Sequence, residues 1–222
     1  MSVTEALARR KRLSTSTPRR GLVEFAGDRA ALVAALRRGE EGAAAALFHE
    51  YAPLVERTIG RVLGVDDDLP DATQEVFLRA LRSVHRVRDP QALTAFILQI
   101  TVCTATDWIR KRRRQRWLLF FAPGEVAEHS SFSIDEIGRD ALRATYRVLD
   151  RMNVEERTVF ALRHIDGMEL MQIARACGCS LATIKRRLRR ANARFEALGR
   201  HEAALALWLG ELGEGPESED VS

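Results

Sequence analysis

The sequence predicts an all-α protein built as two small helical domains joined by a flexible linker, with a helix-turn-helix in the second. Three observations predict it. Aromatic residues make up only 6% of the 222 residues and β-branched runs are scarce, while Ala, Leu, Arg and Glu dominate, a composition that favours helix. Apolar residues recur at helical spacing on both sides of residues 118–133, where Pro123, Gly124 and a His-Ser-Ser run interrupt the period. Finally, the stretch from Met168 to Phe195 reads as two short helices around a tight turn. The predicted organisation is a disordered basic segment over 1–25, a first domain over 26–117 and a linker over 118–133. A second domain follows over 134–200, and 201–222 form a short helical extension and an acidic tail.

In chain order, residues 1–25 hold six cations and two acids with no apolar period. A short helix follows from Asp28 through Leu32, Val33 and Leu36 to Gly39. A longer one runs through Leu47, Tyr51, Val55, Ile59 and Leu63 to Gly64, with a kink expected at Pro53. The third helix starts at Asp68, where Pro70 and Asp71 resemble an N-terminal cap. Val76, Phe77, Ala80, Leu81 and Val84 form its buried stripe, which leaves Asp71, Gln74, Glu75, Leu78 and Arg82 on another face. An apolar Leu78 among carboxylates and amides suits a protein docking surface.

The polar loop from His85 to Gln91 leads into a long helix, from Ala92 to about Trp117. Leu93, Ile97, Ile100, Thr104 and Trp108 face inward, and the helix ends in a cationic run through Arg110, Lys111, Arg112, Arg113 and Arg114. The linker opens with the apolar residues 118–121, and residues 117–121 are expected to bury against one of the domains or an inhibitory partner. Beyond it, Ile137, Ala141, Leu142, Val148 and Leu149 predict a helix, and Asn153 with Glu156 resembles a capping box for the next. The period persists weakly past Leu198 through Leu205, Trp208 and Leu212.

In the two-helix motif, Leu170, Ile173, Ala174 and Cys177 fall at i, i+3, i+4 and i+7, so they share one face. Gly178 supplies the residue that tolerates a positive φ, and Ser180 is a favourable N-cap. The second helix turns Leu181, Ile184, Leu188, Ala191 and Phe195 inward. Lys185, Arg186, Arg187, Arg189, Arg190 and Arg194 occupy its other sides with no acid among them, which calls for phosphates as counter-charge. Such a helix suits the major groove of DNA.

Net charge is +4 with an isoelectric point near 9.3. Basic and acidic ends on one chain point to a nucleic-acid partner. Three cysteines in a chain with no secretory signal argue against a disulfide framework and for a reduced, cytoplasmic setting. The longest apolar runs fall far short of a membrane span. Cys177 and Cys179 lack the second ligand pair of a zinc site, so core packing is their expected role. Scattered histidines, no nucleophile elbow and no phosphate-cradling glycine loop give an enzyme nothing to work with, and neither a cofactor nor a metal is expected.

Taken together, residues 47–64, DATQEVFLRALRSV at 71–84, the Asp107-x-x-Arg110 pattern with its arginines, and residues 152–191 resemble the extracytoplasmic-function group of bacterial sigma-70 factors, over roughly residues 30–198. The resemblance implies a protein that binds core RNA polymerase and directs it to promoters. It implies that Asp71, Gln74, Glu75, Leu78 and Arg82 dock on the clamp helices of the largest polymerase subunit. The minus-10 element, as melted DNA, would meet His85, Arg86 and Arg88 in the loop and Arg110, Lys111, Arg112, Arg113 and Arg114 on the long helix.

The minus-35 duplex would meet Lys185, Arg186, Arg189 and Arg190 at bases. Arg187, Arg194 and the helix start near Ser180 and Thr183 would hold phosphates. An anti-sigma partner is a further implied possibility. The sequence departs from the family pattern at Phe96, Cys103 and Asn153, where Trp, Asn and Pro are common. A stand-alone helix-turn-helix regulator is the alternative, and it leaves residues 69–116 without a purpose.

Overall fold

The structure is a computed structural model that describes Phe25 and residues 27–64, 68–119 and 136–205, without the side chains of 116–119 and 136–137. The expectations for residues 1–24, for burial of 117–121, for the linker, for Trp208 and Leu212 and for the acidic tail lie outside what is described. Among the described residues every regular element is helical.

Helix α1 (Arg29–Arg38) begins at Asp28, whose carboxylate accepts from the Ala31 amide at 2.9 Å, and ends at Gly39 with φ +68°. Helix α2 (Ala43–Leu63) continues unbroken through Pro53. Helix α3 (Leu69–Ser83) starts where expected, but the Asp68 side chain makes no capping bond. Instead it accepts from Arg112 Nε at 3.2 Å, so a long-range partner has displaced the local one. The stretch read as a polar loop is two 3-10 turns, Val84–Arg86 and Pro90–Ala92, around a buried Val87 whose carbonyl accepts from Arg37.

Helix α4 (Leu93–Leu119) is the axis of the molecule. Leu93, Ile97, Thr104 and Trp108 are buried as expected, and Ile100 is half-buried. Val102 and Ile109, nearly half a turn round, are buried as well. The second face exists because the C-terminal half packs on it. Residues Pro90–Gln115 are long and apolar enough to cross a membrane, contrary to the expectation of short apolar runs. Leu93, Ile97, Thr101, Thr104 and Ala105 are fully buried in protein, so that apolarity belongs to a helix enclosed on two sides.

The C-terminal half comprises α5 (Glu136–Arg151), α6 (Val154–Phe160), a π turn (Ala161–Ile165), α7 (Leu170–Ala176) and α8 (Leu181–Gly199). Asn153 Oδ1 accepts from the Glu156 amide at 2.7 Å, as the capping pattern predicts. Val148, Leu149, Met152, Phe160 and Ala191 form a core of their own. Val159, Leu162, Ile173 and Ile184 instead join the core of α1 to α4. The two halves therefore share one apolar interior.

The C-terminus of α2 shows how closely they fit. A helix leaves its last four carbonyls without intrahelical partners. Here Gly60 O accepts from the Gly64 amide, and Arg61 O accepts from the Tyr146 hydroxyl at 2.9 Å. Val62 O and Leu63 O accept from the Arg157 guanidinium at 3.2 and 2.9 Å. Two side chains of the C-terminal half thus complete a helix of the N-terminal half. Gly64, at φ +85°, lies under the Tyr146 ring, and a Cβ there would stand 3.0 Å from Cδ1. Nearby, the Asp166 carboxylate is wholly shielded from solvent, paired with Arg61 at 3.0 Å and Arg57 at 3.2 Å and accepting from Thr58 at 3.3 Å.

Candidate nucleic-acid and docking surfaces

The helix-turn-helix is built as its residues dictate. Glu169 and Gln172 cap α7 reciprocally, and Gly178 makes the turn at φ +61°. Ser180 Oγ then accepts from the Thr183 amide at 3.2 Å to start α8. Ile184 and Ala191 are buried beneath it, and Phe195 stacks on Phe160 with ring centroids 4.3 Å apart, which fixes the helix against α6. Lys185, Arg186, Arg189, Arg190 and Arg194 are exposed on the outward half of α8 and form no ion pair with a described residue. Their field is directed at solvent, and the α8 N-terminus adds free amides for an anion. Arg187 differs from the expected phosphate contact. It is half-buried and points to α4, donating to Cys179 Sγ at 3.4 Å.

The second basic surface lies at the C-terminal end of α4, and there the structure engages most of the charges internally. Arg110 pairs with Glu155 at 2.8 Å and with Asp107 at 3.6 Å. Arg112 is nearly buried against Asp68, and Arg113 donates to the carbonyls of Asp150 and Met152. Lys111 lies over the Trp108 ring, 4.2 Å from its centroid, and Arg114 is exposed. The Arg110 pair favours the Glu155 carboxylate, whose pKa is lowered first by a backbone hydrogen bond and then by Arg110. His85, Arg86 and Arg88 are exposed at the opposite end of the same helix. The helix between them, from Leu93 to Arg110, rises ~25 Å at about 1.5 Å per residue, so the two groups cannot touch one nucleotide.

On the far side of α3, Asp71, Gln74, Leu78 and Arg82 share an exposed face, with Leu78 45% exposed. Glu75 is half-buried and turned inward, where it accepts from Trp108 Nε1 at 2.7 Å and from Arg79 at 2.5 Å. It orders the α3–α4 contact rather than presenting a free carboxylate. The sequence reading missed Phe48 of α2, 47% exposed, whose ring lies 4.7 Å from that of Phe77. Phe48, Leu69, Phe77, Leu78 and Leu81 line a largely apolar groove of about 490 Å³. A large apolar residue beside the buried Leu47, just off the α2 stripe, was the available signal.

Comparison with known proteins follows this division. The family model described as sigma-70 region 2 matches residues 47–115, and that described as sigma-70, region 4 matches residues 142–194. The chain is 31% identical over 125 residues to RNA polymerase sigma factor SigV of Bacillus subtilis, covering 56% of this chain and 72% of the relative. It is 24% identical over 169 residues to the ECF RNA polymerase sigma-E factor of Escherichia coli K12, covering 72% and 88% respectively.

Among solved structures it is similar to CnrH in complex with the cytosolic domain of CnrY, with TM-score 0.51, 21% identity and coverage of 77% of this chain and 96% of that one. It is equally similar, at TM-score 0.51 and 21% identity, to RpoE in complex with the anti-sigma factor NepR from Bartonella quintana, covering 70% and 95%. These last two likenesses are of fold.

Proposed function

Because the chain belongs to the sigma-70 family of RNA polymerase sigma factors, in its extracytoplasmic-function group, we propose that its exposed surfaces divide the work of promoter-specific initiation among them. The chain binds core RNA polymerase and promoter DNA. It acts in the cytoplasm as an initiation factor rather than an enzyme, and promoter opening is completed by the polymerase it joins. Region 2 occupies 26–117 and region 4 occupies 134–200. The apolar groove beside Leu78 and Phe48, with Asp71, Gln74 and Arg82 on its rim, is the polymerase contact. Glu75 supports it from behind through Trp108 and Arg79.

Helix α8 reads the minus-35 duplex. Lys185, Arg186, Arg189 and Arg190 reach base edges, while Arg194 and the Ser180–Thr183 turn hold phosphates. The observation that carries this assignment is the row of outward cations that lack an acidic partner among the described residues. His85, Arg86 and Arg88 face the melted minus-10 strand, and Lys111 and Arg114 follow its backbone.

The compact arrangement cannot serve both elements at once. Elements about 25 base pairs apart are separated by ~85 Å at about 3.4 Å per base pair, whereas Arg113 hydrogen-bonds across the two halves. The halves therefore part on polymerase, and parting releases Arg110 and Arg113 for phosphates. An anti-sigma partner would act by keeping these surfaces covered, a reading supported by the RpoE structure, which holds the anti-sigma factor NepR.

Run-off transcription with core polymerase on a genomic fragment library tests the assignment. Selective starts sharing two spaced elements are expected. No selective start on any template would refute it.

A further inference from the structure

Cys103 is remote in sequence from Cys177 and Cys179, yet all three line one cavity of about 260 Å³ where α4 meets the helix-turn-helix. The turn between Cys177 and Cys179 lies directly on α4, since a Cβ on Gly178 would stand 3.6 Å from Gln99 Nε2. Cys103 follows Gln99 by one helical turn on the same face. The sulfurs are not arranged as ligands. Among the described residues no group of three or more His, Cys, Asp or Glu is placed to hold a metal.

Their surroundings differ in a way that suits redox chemistry. Cys179 Sγ lies 3.4 Å from the Arg187 guanidinium, which places a cation beside that sulfur, and it also donates to Cys177 O at 3.4 Å. Cys103 is exposed on α4, where burial of its sulfur and the nearby Asp107 hold the thiol above its ordinary pKa. Cys177 packs against the main core, and burial pushes its thiol up to about 12, so it stays protonated.

We propose that Cys179 and Cys103 form an oxidation-sensitive latch, in which a peroxide joins them as a disulfide that ties α4 to the turn of the helix-turn-helix. The Cys179 sulfur attacks the peroxide oxygen and the O–O bond breaks, the thiol proton passing to the leaving oxygen, to give a sulfenic acid and an alcohol or water. The Cys103 thiol then attacks that sulfur and expels water. Two thiols lose two electrons and two protons, and the peroxide accepts them. The bridged chain cannot separate its two halves, so it cannot span both promoter elements. This consequence rests on the sigma-factor function proposed above, whereas the disulfide itself does not.

The test treats the full chain with hydrogen peroxide, removes the oxidant, and maps alkylated peptides by mass spectrometry. Run-off transcription with core polymerase is measured in parallel, before oxidation, after it and after dithiothreitol. The expected result is an intramolecular Cys103–Cys179 peptide pair, a loss of transcription of at least about ten-fold, and recovery on reduction. Cys103→Ser and Cys179→Ser should each abolish the pair and keep transcription through peroxide treatment.

A link only between Cys177 and Cys179, a link from Cys103 to Cys177, links only between separate chains, or no link at all would overturn the latch. So would full transcription by a chain carrying the Cys103–Cys179 bridge. A reduced chain that never initiates would instead overturn the function, and the peptide map would still decide the chemistry.

Discussion

Arg157 is the side chain whose removal most directly tests how the two halves are held. It is 3% exposed, and its guanidinium donates to Val62 O, Leu63 O and the Asp150 carboxylate. Burial alone disfavours the charge and lowers its pKa, and Asp150 works in the opposite direction. Arg157→Met keeps most of the aliphatic volume but strands two carbonyls at the end of α2 and removes one cation from beside the Asp150 carboxylate. Hydrogen bonds to a charged group contribute about 1.5 to 3 kcal/mol each, net of the water bonds they replace. Breaking one partner of a buried ionic cluster costs about 3 to 5 kcal/mol, and that range is the expected loss.

Urea denaturation of the full chain, read by circular dichroism, gives the magnitude. Hydrogen exchange at the amides of residues 60–64 locates the effect. A double-mutant cycle with Asp150→Ala should show strong coupling, and Arg157→Lys should recover only part of the loss, because a point charge cannot bridge two carbonyls and a carboxylate. A loss below about 1 kcal/mol, with unchanged exchange at α2, would refute the reasoning. It would mean that water replaces the guanidinium freely and that the carbonyls were never dependent on it.

Three further outcomes follow from the exposed surfaces and the interface. Leu78→Glu should leave stability within about 0.5 kcal/mol yet weaken core-polymerase binding by at least about thirty-fold, the effect of losing a contact worth ~2 kcal/mol. Unchanged affinity in a pull-down titration would remove this face from the docking surface. Arg190→Ala should lower discrimination at one minus-35 position by about 1 to 3 kcal/mol, and equal weakening on all sequences in a binding titration would assign it to phosphate instead.

Tyr146 is raised to about 12 by burial, against the opposing pull of Arg157 and Arg61. In the unfolded chain its phenol titrates near 10, so between pH ~10 and ~12 the unfolded state loses its proton first and stability falls as pH rises. Thermal midpoints should drop through that window in the wild type. The drop should be visibly shallower in Tyr146→Phe, and parallel pH profiles would contradict the assignment.

Local pattern made the elements legible. Asp28, Asn153, Ser180 and Gly178 do what their residue types dictate, because a cap or a left-handed turn is settled by a few neighbouring atoms. The exposed face of α3 and the outward cations of α8 were also readable, since helical period alone decides which side chains share a surface. Asp68 was misread as a cap because a carboxylate beside a helix start has the same local signature whether it binds its own amides or, as here, Arg112.

The sequence by itself determined where the helices run, which residues line their primary apolar stripes, and that one of them carries a run of cations with no acid among them. Tertiary structure alone decided that the two helical halves share an interior. It buried a second face of α4, paired Arg110 with Glu155, turned Arg113 and Arg187 inward and completed the end of α2 with Arg157 and Tyr146. It also gathered three distant cysteines around one cavity. The physical reason is that periodicity encodes one buried face per helix, whereas a charged side chain looks the same in sequence whether it meets solvent, phosphate or a carbonyl from the other half of the chain.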